Sequence, residues 1–124
     1  MNNEKKQKIL IVEDESINQL FLSSILKKEY NTFVAGNAAQ ATKILEKEKI
    51  DLILMDISLK GGKNGFELTK EIRETNLQIP IIAITGFITE NELHKTIEAG
   101  CNKYITKPFD KNTLLKMIKS LLDI

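Results

Sequence analysis

The chain has 124 residues, of which 42% are hydrophobic and 28% charged, so its length and composition favour one globular domain with a buried core. Its 18 basic and 17 acidic side chains leave a net charge of +1, which argues against nucleic-acid binding because that function needs clustered positive charge. A single cysteine, Cys101, excludes an internal disulfide, and no apolar run approaches the roughly 20 residues of a membrane span. We therefore expect a cytoplasmic domain over residues 8–124, without membrane contact, after a polar leader over residues 1–7.

Short apolar runs alternate with amphipathic segments from one end of the chain to the other. The runs at residues 9–12, 52–55 and 79–84 are apolar on both faces, which predicts central parallel strands covered by helices on both sides. Weaker runs at residues 32–35 and 103–106 predict strands nearer the edges of the sheet.

Between these runs, apolar residues recur at helical spacing and predict five helices. Ser16, Asn37 and Asp110 are suited to cap the first, second and fifth, the fourth starts after Thr89, and Gly100 is suited to end it. The predicted apolar faces, in chain order, are formed by Ile17, Leu20, Phe21 and Ile25; by Ala38, Ala41, Thr42 and Leu45; by Phe66, Leu68 and Ile72; by Leu93, Ile97 and Gly100; and by Leu114, Ile118, Leu121 and Leu122.

Five repeats of strand and helix predict an α/β fold with a doubly wound, five-stranded parallel sheet and five helices. Right-handed crossovers leave few topologies, and the usual one is the flavodoxin-like strand order 2-1-3-4-5. Such sheets bind ligands at the carboxyl ends of their strands, beside the point where the strand order reverses.

Acidic residues follow two strands that are neighbours in this order. Glu13 and Asp14 follow strand 1, and Asp56 follows strand 3. Any one of them alone would more often be a solvated loop acid or a helix cap, but three carboxylates this close repel one another unless a cation lies among them. An all-oxygen ligand set predicts Mg²⁺ rather than zinc or copper.

A hydroxyl and an ammonium are expected at the same edge of the sheet, because Thr85 ends strand 4 and Lys107 follows strand 5. Opposite an acid–metal cluster, this pair suits the oxygens of a phosphoryl group. A carboxylate can act as the nucleophile and form an aspartyl phosphate, so phosphoryl transfer is the chemistry that the residues favour.

Four segments together resemble the receiver domain of response regulators, the phosphorylated partners of two-component signalling systems. They are residues 9–14 (ILIVED), 52–57 (LILMDI), 81–86 (IIAITG) and 103–109 (KYITKPF), and the resemblance extends over about residues 8–122. It implies a signalling module that accepts a phosphoryl group from a phosphohistidine, turns over no external substrate, and regulates a partner or an attached domain by changing shape.

The resemblance assigns Asp56 as the phosphoacceptor. Asp14 would bind Mg²⁺ directly, Glu13 through water, and the backbone carbonyl of Ser58 would supply a further ligand. The donor would be a sensor histidine kinase or a phosphotransfer protein.

The resemblance also assigns the residues that hold the phosphoryl group and transmit its arrival. Thr85 is similar to the switch hydroxyl, Gly86 and Lys107 to the other phosphoryl-binding positions, and Tyr104 to an aromatic residue that moves inward on activation. Pro108 is similar to a proline that usually follows a cis peptide bond. The reshaped face would be helix 4, strand 5 and helix 5, which a partner or a second copy of the chain would bind.

The sequence departs from the usual receiver pattern at several points. The loop over residues 57–65 lacks the common proline and is about one residue longer, and Gly86 stands where alanine is more usual. Phe87 is bulky enough to slow water on its way to a phosphoaspartate. Residues 13–18 (EDESIN) resemble the receivers of hybrid sensor kinases, in which an asparagine often stands at the position of Asn18.

Three alternatives share the predicted fold. A pseudo-receiver would bind proteins without carrying phosphate, although the set Asp14, Asp56, Thr85 and Lys107 argues against it. A flavodoxin-like cofactor binder would need a Ser/Thr/Gly-rich loop after strand 1, and an aspartate phosphatase would need a second acid at Ser58. His94 and Cys101 are expected to be a surface residue and a packing residue.

Overall fold

The computed structural model describes residues 6–75, 78–86 and 89–123. Within these ranges, five strands and five helices alternate along the chain. The strands are β1 (Lys8–Val12), β2 (Asn31–Ala35), β3 (Leu52–Asp56), β4 (Ile81–Thr85) and β5 (Lys103–Thr106). The helices are α1 (Ser16–Leu26), α2 (Ala38–Lys47), α3 (Gly65–Glu74), α4 (Glu90–Ala99) and α5 (Lys111–Leu122).

All neighbouring strands pair in parallel, in the order β2-β1-β3-β4-β5. This confirms the predicted flavodoxin-like fold. Because the strands are parallel, their carboxyl ends lie at one edge, which we call the upper edge. There, Asp56 of β3 is in register with Ile84, and Thr85 is in register with Thr106 of β5.

Two hydrophobic cores cover the two faces of the sheet. One packs β-strand residues against α2 and α3 through Ala41, Leu68 and Ile72, and the other packs them against α1 and α5 through Leu26 and Leu114. Every residue of β3 and β4 is buried, as the runs that are apolar on both faces predicted. These two strands therefore form a rigid support for the site at their upper ends.

Helix caps follow the sequence closely, with one exception. The side chains of Asn37 and Asp110 accept hydrogen bonds from the first turns of α2 and α5, as predicted. Thr89 caps α4, and Gly100 ends that helix at a φ of +110°, a conformation that favours glycine. The prediction of Ser16 as the cap of α1 was wrong, because Ser16 is the first helical residue of α1 and follows Glu15 in the cap position.

Only Ile25 of the predicted apolar face of α1 packs against the core. Ile17, Leu20 and Phe21 are 81%, 71% and 44% exposed, and the helix buries Leu22 and Leu26 instead. Two apolar stripes overlap on this helix, and periodicity alone does not say which one meets the sheet. The other stripe is left as an exposed surface beside the upper edge.

A smaller correction concerns α4. Ile97 was predicted on its apolar face but is 63% exposed, while Thr96 and Ala99 are buried. Small residues allow α4 to pack closely on its neighbours, so the larger side chain points to solvent. No helix in the described ranges is both long and apolar enough to cross a membrane.

Candidate functional site

The three predicted acids converge at the upper edge of the sheet. Glu13 directly follows β1 and is held there by its N–H, which donates to the carbonyl of Ala35 at 2.9 Å. Asp56 ends β3, and one carboxylate oxygen from each of Glu13, Asp14 and Asp56 lies within 4.8 Å of the others. Glu13 and Asp56 are buried and Asp14 is half-buried, so the cluster is open to solvent on one side.

Burial shapes the charge of this cluster. It raises the pKa of Glu13, and the neighbouring Asp56 raises it further. Burial also raises the pKa of Asp56, opposed by the hydrogen bond from the Ser58 backbone and by the charge of Lys107. Both carboxyl groups thus resist ionisation in the protein alone, which a bound cation would reverse.

One oxygen of Asp56 is held by the loop that follows it. The backbone N–H of Ser58 donates to Asp56 Oδ1 at 2.9 Å, and the Ser58 hydroxyl lies 3.3 Å from the same oxygen. The N–H of Ile57 donates to the carbonyl of Ile84, so β3 stays paired with β4 beyond its last residue. These bonds fix the orientation of the Asp56 carboxyl group. The role of the Ser58 carbonyl as a metal ligand stays a prediction.

The two oxygens of Glu13 have different surroundings. Oε2 accepts from the backbone N–H of Glu15 at 3.1 Å and contacts the amide of Asn18 at 3.4 Å. Oε1 is buried, has no hydrogen-bond partner among the described residues, and lies 3.8 Å from Nζ of Lys107. An orphaned buried carboxylate oxygen beside two other carboxylates fits a hydrated Mg²⁺, whose waters would satisfy it.

Thr85 and Lys107 lie at the same edge, as predicted. Thr85 ends β4 with its side chain largely buried, and its carbonyl accepts from the N–H of Lys107 at 2.7 Å. The peptide bond between Lys107 and Pro108 is cis. Gly86 is exposed and has open space around it, and Phe87 lies outside the described residues.

Tyr104 lies on edge strand β5, in register with Ala83 of β4, and is 40% exposed. The side chain therefore has room to move, and its predicted inward movement on activation stays a prediction. His94 is exposed on α4. Cys101 packs against the core that lies between the sheet and helices α2 and α3, and burial raises the pKa of its thiol. Both residues are located as the sequence predicted.

Sequence reasoning missed the close approach of α3 to the end of β3. A Cβ atom on Gly65 would lie 2.5 Å from the carbonyl oxygen of Asp56 and 2.8 Å from Cα of Ile57. Only glycine fits, and the preceding Asn64 forms a capping box with Glu67 that starts α3 at this point. The signal was visible in the sequence as Asn-Gly followed by Glu at capping-box spacing.

Sequence reasoning also missed a cavity beside the acid cluster. It has a volume of about 250 Å³ and lies between α1 and the segment after β5. The rings of Phe21 and Phe109 stand 6.1 Å apart at this place. The residues that line it include Asn18, Phe21, Leu22, Ile84, Lys107 and Phe109. The cavity joins the exposed stripe of α1 to the site.

The family model described as "Response regulator receiver domain" matches residues 9–119. The chain belongs to the response-regulator receiver family. This receiver domain is 40% identical over 117 residues to the aerobic respiration control protein ArcA of Escherichia coli, covering 92% of this chain but 48% of that protein. It therefore spans about half the length of that relative. It is also 32% identical to sporulation initiation phosphotransferase F of Bacillus subtilis, covering 95% of each.

Solved structures carry the same fold at comparable identity. The receiver domain of a sensor histidine kinase from Pseudomonas aeruginosa, with a magnesium ion coordinated in its active-site cleft, is 31% identical, with a TM-score of 0.87 over 96% of this chain and 99% of that one. The receiver domain of Ssk1 from Saccharomyces cerevisiae, solved with the histidine phosphotransfer protein Ypd1, is 31% identical, with a TM-score of 0.87 over 95% and 90% of the two chains.

Family membership establishes the general function of the chain. This receiver domain is a module of two-component signalling, and receiver domains bind Mg²⁺ in an acidic active site and interact with histidine kinases or phosphotransfer proteins. Membership favours the signalling interpretation over a flavodoxin-like cofactor binder and over an aspartate phosphatase.

Proposed function

We propose that this receiver domain accepts a phosphoryl group on Asp56, with Mg²⁺, and changes shape in response. The observation that carries the proposal is the convergence of Glu13, Asp14 and Asp56 with Lys107 at one edge of the sheet. A pseudo-receiver would have no use for a half-buried lysine set against three converging acids. The module turns over no external substrate, since its own side chain is the acceptor.

Each residue has a part in the transfer. An oxygen of Asp56 attacks the phosphorus of the donor, the bond from phosphorus to the donor nitrogen breaks, and the histidine leaves with its electron pair. Glu13, Asp14, Asp56 and the Ser58 carbonyl would hold Mg²⁺, which supplies positive charge to the transferring oxygens. Lys107 neutralises a further oxygen, and Thr85 and the backbone at Gly86 donate to the others.

Small phosphodonors test the acceptor directly. Acetyl phosphate with Mg²⁺ should add one phosphate to the wild type, detected by intact mass and removed by hydroxylamine. Asp56→Asn should abolish the addition, because the amide is a poor nucleophile, while the exposed Asp123→Asn control should be labelled like the wild type. Equal labelling of Asp56→Asn would place the acceptor elsewhere, and an unlabelled wild type would favour the pseudo-receiver.

We propose that the phosphohistidine donor docks on the exposed stripe of α1, namely Ile17, Leu20 and Phe21. An apolar stripe of this kind on a small domain marks a site of protein contact. Its position beside the cavity and Lys107 would bring a histidine on the partner towards Asp56. The complex of Ssk1 with Ypd1 supports a phosphotransfer protein as one kind of partner.

A charge in the stripe should separate docking from chemistry. Leu20→Glu should slow transfer from a phosphorylated histidine protein by about tenfold or more, because an interface residue of this kind contributes roughly 1–2 kcal/mol. Labelling by acetyl phosphate should be unchanged. The matched control is Ile97→Glu, which alters a similarly exposed side chain on α4. The donor for this test is chosen from a panel of kinase and phosphotransfer domains as the one that labels the wild type fastest. Equally slow transfer from this donor to both variants would refute docking on α1.

A further inference from the structure

We propose that Asn18 is a positioning residue for the metal site: it holds the carboxylate of Glu13 so that Oε1 is turned towards the cation. The inference rests on the proposed function, in which the cation at this edge serves phosphoryl transfer. It assigns to α1 a part in the site that is separate from partner docking.

The side-chain amide of Asn18 lies between two carboxylates. Its Nδ2 donates to Oε1 of Glu15 at 2.9 Å and lies 3.4 Å from Oε2 of Glu13. The backbone N–H of Glu15 donates to that same Oε2 at 3.1 Å. Both donors thus act on one oxygen of Glu13.

The other oxygen of Glu13 is left for the cation. A carboxylate turns about its terminal torsion in a broad, roughly two-fold well, so donors on one oxygen decide which way the other faces. Oε1 is buried without a partner among the described residues and lies 3.8 Å from Lys107 Nζ. Without Asn18, a single backbone donor would have to hold this orientation.

Asparagine suits the position because its amide donates two hydrogens and carries no charge. One hydrogen can serve Glu13 and the other Glu15, and the carboxylate of Glu15 keeps the NH₂ group, rather than the amide oxygen, towards the cluster. A lysine or arginine here would neutralise Glu13 and compete with the cation. A serine would be too short to bridge the two acids.

The affinity for Mg²⁺ tests this without any phosphate. The chain has no tryptophan, so the titration follows the backbone amide NMR signals of Asp14 and Ser58. We expect Asn18→Leu, which keeps the size and removes the donors, to raise the Mg²⁺ dissociation constant by about three- to tenfold, as for loss of one hydrogen bond to a charged group. The control is Asn112→Leu, the same change in the first turn of α5, and it should match the wild type.

A double-mutant cycle with Glu13→Ala decides whether Asn18 acts through Glu13. Adding Asn18→Leu to Glu13→Ala should not weaken Mg²⁺ binding further. Phosphorylation by acetyl phosphate should show the split of a positioning residue: Asn18→Leu needs more Mg²⁺ for the half-maximal rate and reaches the wild-type rate at saturation.

Three results would overturn the inference. The first is an unchanged Mg²⁺ affinity in Asn18→Leu, and the second is a wild type that binds no Mg²⁺. The third is that Asn18→Leu weakens Mg²⁺ binding as much in the Glu13→Ala background as in the wild type. Failure of the proposed function looks different. If Asp56 is never labelled but the Mg²⁺ cycle shows coupling, phosphoryl transfer is refuted and the positioning role stands.

Discussion

Glu13 and Asp56 place two acids in a buried setting beside a third, and the pKa of each is raised by burial. The folded chain therefore binds protons on these groups at pH values where the unfolded chain has already released them. Their contribution to stability is fully present below the ordinary carboxyl pKa, and it is lost as the pH rises through the raised pKa of the folded state. At neutral pH without a cation, the site is a source of instability.

Removing one of these charges should stabilise the protein. Without Mg²⁺, in EDTA at about pH 7, Asp56→Asn should raise the free energy of unfolding, because it removes a carboxylate whose charged form is disfavoured by burial. The gain should shrink as the pH falls towards the ordinary aspartate pKa of 3.8. Urea unfolding at a series of pH values measures it, with the exposed Glu98→Gln as the control. A gain that grows on acidification would contradict the assignment.

At the scale of elements, the start of α3 sets the shape of the site. Asn64 and Glu67 cap the helix reciprocally, and Gly65 brings its first turn against the backbone of Asp56 and Ile57. The loop before it turns through Gly61 and Gly62, whose φ angles are +80° and +132°. The loop therefore passes through positive-φ glycines and leads α3 back to the end of β3.

A methyl group at Gly65 should disturb both stability and chemistry. Its contacts are with backbone atoms, which cannot move aside as a flexible side chain could, so Gly65→Ala should destabilise the fold by about 2–3 kcal/mol. It should also slow labelling by acetyl phosphate. Gly86→Ala is the matched control, since open space surrounds Gly86, and it should unfold like the wild type. Thermal unfolding of both variants measures the difference, and a neutral Gly65→Ala would show that α3 can shift.

The features that could be predicted from the sequence are those that a local pattern of residues determines. The strands β3 and β4 were visible because each is apolar on both faces, and the acids were expected to meet because parallel strands end at one edge. The buried face of α1 was not predictable, since its two stripes compete and tertiary packing chooses between them. Asn18 and Gly65 were not predicted as site residues, because the contact of Asn18 with Glu13 and that of Gly65 with the backbone of Asp56 depend on the exact placement of the helices on the sheet.

At the scale of the whole molecule, the paired strands β4 and β5 run between the site and the surface formed by α4, β5 and α5. Thr85 stands at the upper end of β4, and Tyr104 stands on the adjacent β5, beside a cavity of about 430 Å³ lined in part by Ile97 and Met117. In the proposed switch, Thr85 moves to donate to the phosphoryl group and Tyr104 turns inward. The surface of α4, β5 and α5 is then presented in a new shape to a partner or to a second copy of the chain.

The coupling should depend on one hydroxyl. Thr85→Ala should still take phosphate on Asp56, but with beryllofluoride and Mg²⁺ its amide signals over residues 89–122 should not move as those of the wild type do. A hydrogen bond with improved packing supplies about 2–3 kcal/mol, enough to convert a state populated at a few per cent into the main one. Thr106→Ala, on the exposed neighbour in register with Thr85, is the control. Matching shifts in Thr85→Ala and the wild type would refute this coupling.

The site is assembled from strand ends that lie far apart along the chain, from Glu13 after β1 to Lys107 after β5. A growing polypeptide therefore contains all three acids well before it contains the lysine that balances them. Since domains fold as units during synthesis, the edge of the sheet becomes competent only when β5, the last strand, has paired with β4. Under the proposed function, a chain interrupted before that point lacks Lys107, and we expect it to compete poorly with finished copies for phosphate.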